Sequence, residues 1–180
     1  MSNVGESCVV DLRDVDVKLW NVYLHWVYKG TVLYGPEPDE DDDSPQSHAI
    51  CDALLAGLID LWILGNRLRD TQLRDAVSHE IYGICHYLGA RFTPDMVNLI
   101  WSSVPPNRAL RRLALDFYAT NVRSEYVNLH ANEFSREFLQ DLVILLMRHK
   151  EGAPRINPLD QENGPYREEE HLSQNSDGKK

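Results

Sequence analysis

Between Ala49 and Leu64 the chain carries two charges, Asp52 and Asp60, and Ala53, Ala56 and Gly57 keep the stretch thin. A helix of this composition has almost no solvent face, so it needs neighbours on most sides and must sit at the centre of whatever fold forms. The glycine and asparagine at Gly65-Asn66 predict its end.

The other segments supply those neighbours. Between Asp14 and Lys29 the polar residues Asp14, Lys18, Asn21, His25 and Lys29 recur at spacings of four, three, four and four, one narrow helical stripe. Leu19, Trp20, Val22, Tyr23, Leu24, Trp26 and Val27 cover the rest of the circumference, which predicts a mostly buried helix capped by Asp14 or Asp16 and stopped at Gly30. A further helix is expected from about Asp70 to Leu88, with Leu73, Val77, Ile81, Ile84 and Leu88 on one face and Asp75, His79 and His86 outside. Thr93-Pro94-Asp95 combines a capping hydroxyl, a proline suited to the first helical position and an acid in the first turn. The short helix it opens stops at Pro105-Pro106, and another follows from Asn107 to about Thr120, with Leu110, Leu113, Ala114 and Phe117 facing inward. A last helix takes Ser135 to Lys150, its apolar face being Phe138, Leu139, Leu142, Leu145 and Leu146. With a β-prone run at Cys8-Val9-Val10-Asp11-Leu12, the expected class is mainly α, formally α+β, with one or two short strands.

Charge is distributed unevenly. Of the net −10 over 180 residues, residues 35–46 contribute −6 through Glu37, Asp39, Glu40, Asp41, Asp42 and Asp43, and residues 151–180 contribute −3. The expected organisation is one domain over 1–150, interrupted by an acidic mobile loop at 35–46 and followed by a disordered acidic tail at 151–180. No concentrated cationic face is available for phosphates, which argues against nucleic acid as a partner. Three cysteines without a close pair and no Asn-x-Ser/Thr sequon fit an intracellular location, cytoplasmic or nuclear. The longest uninterrupted apolar stretch, Ala53 to Ile59, is too short to span a bilayer, so no membrane is expected either.

Chemical motifs are weak. Asp39, Asp41 and Asp43 occupy the first, third and fifth places of a calcium loop, but the sixth place is Ser44 and the twelfth Ile50, where glycine and glutamate are needed. Cys85-His86 with His79 lacks a second ligand pair, and no nucleophile elbow, phosphate loop or dinucleotide fingerprint occurs. No catalytic residue, metal or cofactor is expected, and the chain is not read as an enzyme. Arg108, Arg111 and Arg112 cluster at the start of a helix, where the macrodipole disfavours cations. They read either as ordinary surface charge or as a dock for an acidic segment. Trp20, Trp26, Trp62 and Trp101 lie in apolar helical faces and read as core.

Four pieces in a fixed order carry a resemblance: Val10 to Gly30, Leu58 to Leu68, Thr93 to Trp101 and Leu110 to Ala119. Val27-Tyr28-Lys29-Gly30 stands where a Leu-Tyr-Thr-Gly type turn is expected, and Leu64-Gly65-Asn66-Arg67-Leu68 matches a "leucine, glycine, polar, x, leucine" helix end. Together they resemble the BTB/POZ-domain proteins of filamentous fungi over about residues 6–149. The resemblance starts just before that family's third strand. It therefore implies the C-terminal part of a BTB/POZ fold followed by a helical extension, without the elements that carry much of the family's homodimer interface.

What the resemblance implies for function is a non-enzymatic protein–protein interaction module for self-association or scaffolding. Its partners would be the chain itself, another BTB protein or a cullin, the last as substrate adaptor of a cullin-based ubiquitin ligase. A small helical enzyme is the alternative from a different class, to be recognised by a pocket that gathers titratable groups with shifted pKa values. Candidate interaction residues are Leu19, Trp20 and Tyr23 on the first helix, the one left with exposed apolar surface when its usual neighbours are missing, together with Arg108, Arg111 and Arg112.

Overall fold

The computed structural model describes residues 12–33, 45–88 and 90–152. These form seven helices: α1 (Val17–Lys29), α2 (Pro45–Leu68), α3 (Thr71–Tyr87), α4 (Pro94–Ser103), α5 (Ala109–Asn121), α6 (Ser124–Leu129) and α7 (Arg136–Lys150). There is no strand among the described residues. The strand expected at 8–12 falls outside them apart from Leu12, as do most of the acidic stretch at 35–46 and, beyond Gly152, the acidic tail. α2 begins at Pro45, inside the expected loop.

Local caps set most of the boundaries. Asp16 accepts from the backbone N–H groups of Lys18 at 2.7 Å and Leu19 at 3.4 Å to open α1, and Gly30, at φ 70°, closes it with a bond to the Trp26 carbonyl. Asp70, Thr93 and Ser135 cap α3, α4 and α7 in the same way. Each cap satisfies a backbone donor that the helix itself leaves unpaired.

α2 does not end at Gly65-Asn66. It continues to Leu68, and Arg69, with φ 58°, makes the turn into α3. Gly65 instead serves packing: a Cβ there would stand 3.1 Å from Leu73 Cδ2 and 3.2 Å from Arg74 Cγ, so the missing side chain lets α3 fold back closely against α2. The two-residue connection makes these helices an antiparallel pair, tied at mid-length by Trp62 Nε1 donating to Ser78 Oγ at 3.2 Å.

The core runs through both halves of the bundle. Leu55, Ile59, Leu61 and Trp62 of α2 are wholly buried, as are Leu73, Val77 and Ile81 of α3. α4 packs on α2, α5 and α7, and α5 on α7. An aromatic chain fills that second half, with Phe138 at 4.9 Å from Trp101 and 5.0 Å from Tyr118, ring centroid to ring centroid. The Tyr118 hydroxyl donates to the Phe92 carbonyl at 2.6 Å. Asn98 of α4 fixes the entry to α7, donating to the Glu133 carbonyl at 2.7 Å and accepting from the Ser135 N–H at 2.8 Å.

Three further differences from the sequence reading stand out. α6 has no counterpart in the sequence reading. The apolar length relevant to a membrane is Ala49–Leu68 rather than Ala53–Ile59: within a helix the interspersed polar residues do not interrupt the span, and this one is long and apolar enough to cross a bilayer. Here its apolar surface packs against α1, α3 and α4. Finally α1 is not mostly buried; none of its residues is.

Candidate functional site

α1 is apolar around most of its circumference yet is covered on one side. Leu19, Val22, Tyr23 and Trp26, spaced at i, i+3, i+4 and i+7, pack half-buried against the core. Trp26 reaches furthest, its Nε1 donating to Asp70 Oδ2 at 3.2 Å, at the cap of α3. Arg67, at the end of α2, makes a two-pronged bond to Asp14 at 3.0 and 2.9 Å and so anchors the segment leading into α1. Trp20 and Tyr23 lean on each other with ring centroids 5.2 Å apart. Away from the core, Val17 is 72% exposed, Val27 54% and Tyr28 81%. The candidate residues of the first helix, Leu19, Trp20 and Tyr23, are thus all half-buried against the core.

The three arginines lie elsewhere, on α5, and the structure separates their environments. Arg108 is the N-cap residue of α5 and makes no side-chain capping bond. Arg111 is drawn into the bundle. Its guanidinium lies 5.1 Å from the Trp101 ring centroid and its Nη2 donates to the Trp101 carbonyl, one of the last-turn acceptors of α4. Burial lowers the Arg111 pKa, and Asp141 and Glu137 of α7 oppose that shift. Trp101 Nε1 completes the arrangement by donating to Asp141 Oδ2 at 2.9 Å. The charge of Arg111 is therefore already met by two acids and a helix end of its own domain, and the residue joins α4, α5 and α7. Arg112 is half-buried.

The tryptophans divide as well. Trp62 and Trp101 are core residues, whereas Trp20 and Trp26 are half-buried. Among the described residues no group of three metal-ligating side chains comes together. The calcium-loop positions lie outside the described residues, except for Ile50. Cys85 is buried in α3, where desolvation pushes its thiol up to about 12 and away from thiolate chemistry at neutral pH.

A cavity of about 480 Å³ opens beside α6, with Phe92 and Tyr126 as apolar walls and Arg91, Arg123 and Glu125 around them. Burial raises the Tyr126 hydroxyl there, with Glu133 adding to the effect. Burial is also the first cause of the upward shifts at Tyr23, Asp60 and Tyr118, which lie on α1, α2 and α5. Neighbouring groups add to burial, Asp70 at Tyr23 and Tyr126 at Tyr118.

Sequence reasoning missed the outer surface of α7. Leu146, expected on the buried face, is 44% exposed, and Val143, Ile144 and Met147 are 54, 51 and 57% exposed. Their spacing was legible; which of two apolar faces the rest of the bundle covers was not.

Comparison of the chain with protein-family models, with curated proteins and with solved structures returns no match.

Proposed function

We propose that this chain is a non-enzymatic protein-interaction module, similar in plan to the C-terminal part of a BTB/POZ fold with its helical extension, and that it works by self-association or scaffolding. One observation carries the reading: α1 is apolar nearly all round, yet no residue of it is buried. A helix of that kind is normally enclosed. Here Val17 in the first turn and Val27 and Tyr28 in the last stand exposed, with the exposed Asn21 between them, on a helix whose inner side is seated on the core, and we read these exposed apolar ends as contacts for another protein.

The test compares the full chain with a Val17→Glu/Tyr28→Glu double variant as bait in lysate of its source cells. Both positions are largely exposed, so stability should stay within roughly 0.5 kcal/mol of the parent for each change. A protein retained by the parent and lost by the variant, while both unfold at the same temperature, is the expected result. A cullin in that role would give the adaptor form of the function; identical retention by both baits would remove α1 as the interaction surface.

A further inference from the structure

α7 carries apolar side chains on its outer side as well as its inner one. Phe138 and Leu142 are buried in the bundle, while Val143, Ile144, Leu146 and Met147 stand exposed on the outside. Four neighbouring apolar side chains on the solvent side of one helix are a patch, not scattered exposure.

The flanks of this patch are unlike each other. Helical residues seven apart, or eleven apart, lie nearly in line, because both separations are close to whole numbers of turns. On one flank Leu139, half-buried against the core, and Leu146 align; on the other, Glu137, exposed but also within electrostatic reach of Arg111, and the exposed Arg148 align near opposite ends of the helix. When two copies of a helix pack antiparallel about a two-fold axis, like flanks meet, and each residue faces the one equidistant from the axis. An axis passing between Leu142 and Val143 sets Leu139 opposite Leu146 of the other copy. The same axis sets Glu137 opposite Arg148 of the other copy, so one register satisfies the apolar flank and the charged flank together. Val143 then sits at the axis, with the exposed Gln140 on one side of it and Met147 on the other along the outer line of the helix. A parallel pair would bring opposite flanks together and place both charges against leucines.

From this coincidence we infer that the outer face of α7 is a self-complementary surface through which two copies of the chain pair antiparallel. The inference deepens the proposed function by naming one partner, a second copy, and assigns it to a surface other than α1. One helix pair is a small interface, so the association belongs with weak, concentration-dependent dimers.

Sedimentation of the full chain over a range of concentrations tests it. The parent should move from monomer to dimer as concentration rises, and Val143→Glu should keep it monomeric. Glu137→Arg or Arg148→Glu alone turns two attractions per dimer into two repulsions and should weaken pairing by roughly tenfold. Mixing the two single variants restores both attractions and should restore the dimer, a rescue that general stickiness does not give. Thermal unfolding of each variant confirms that it is folded. A parent that stays monomeric throughout, or single reversals that leave its mass unchanged, would overturn the inference. Dimerisation abolished by Val17→Glu/Tyr28→Glu but not by Val143→Glu would assign self-association to α1, leaving the proposed function standing and this inference refuted.

Discussion

Replacing Trp62 by alanine is expected to lower the stability of the domain by roughly 3–5 kcal/mol, the range for deleting a large buried aromatic. Trp62 is wholly buried in α2 and does three things at once. Its ring fills the junction of α2 and α3. Its Nε1 donates to Ser78 Oγ, whose hydroxyl in turn donates to the Arg74 carbonyl at 2.8 Å. Its face lies 5.7 Å from the guanidinium carbon of Arg74, a residue 6% exposed that also donates to Asn66 Oδ1 and Thr71 Oγ1. Alanine would leave a cavity, remove a donor from a buried hydroxyl and uncover one side of a buried cation. Trp62→Phe keeps most of the volume and should cost clearly less. Thermal unfolding followed by circular dichroism measures both; an alanine variant within 1 kcal/mol of the parent, on the order of a surface change, would show that α2 is not the centre of the core.

The second large effect is expected at the junction of α4, α5 and α7. Trp101→Ala should cost roughly 3–5 kcal/mol through lost ring packing on Phe138 and the lost bond to Asp141. Arg111→Ala removes the cation stacked on that ring and the donor to its carbonyl, leaving Asp141 and Glu137 less compensated, at a cost of about 2 kcal/mol. Because the two side chains share one contact, the double variant should cost about 1 kcal/mol less than the two single costs added together. Strict additivity would mean that the stacking contributes nothing and that Arg111 acts as ordinary surface charge. Lysine at position 111 should not substitute, since it lacks the planar fork that bonds a carbonyl while lying flat on a ring.

The parts of the fold readable from sequence are those with local causes. Asp14 or Asp16, Gly30 and Thr93-Pro94 announce helix ends through capping chemistry within a few residues, and the structure uses Asp16, Gly30 and Thr93; Asp70 and Ser135, expected only as approximate starts, are caps as well. Gly65 shows where local reading stops. The same glycine that commonly ends a helix also permits close helix contact, and the choice depended on Leu73 and Arg74 across the turn. α6 is a six-residue helix, too short for a period to emerge. For the candidate surfaces the limit is similar. Apolar circumference in α1 and α7 was visible, but burial is a property of neighbours, so exposure of Val17, Tyr28 and Val143 had to come from the assembled bundle. Nor does any spacing along the chain connect Arg111 with Trp101 and Asp141, which meet from three helices.

In the proposed function another protein completes the open side of α1. A photo-activated cross-linking residue placed at Tyr28, and separately at Gln72, an exposed polar position on α3, tests it in the source cells with the full chain. A covalent adduct of defined mass is expected from position 28 and none of that mass from position 72. The same adducts from both positions, or none from position 28, would contradict it.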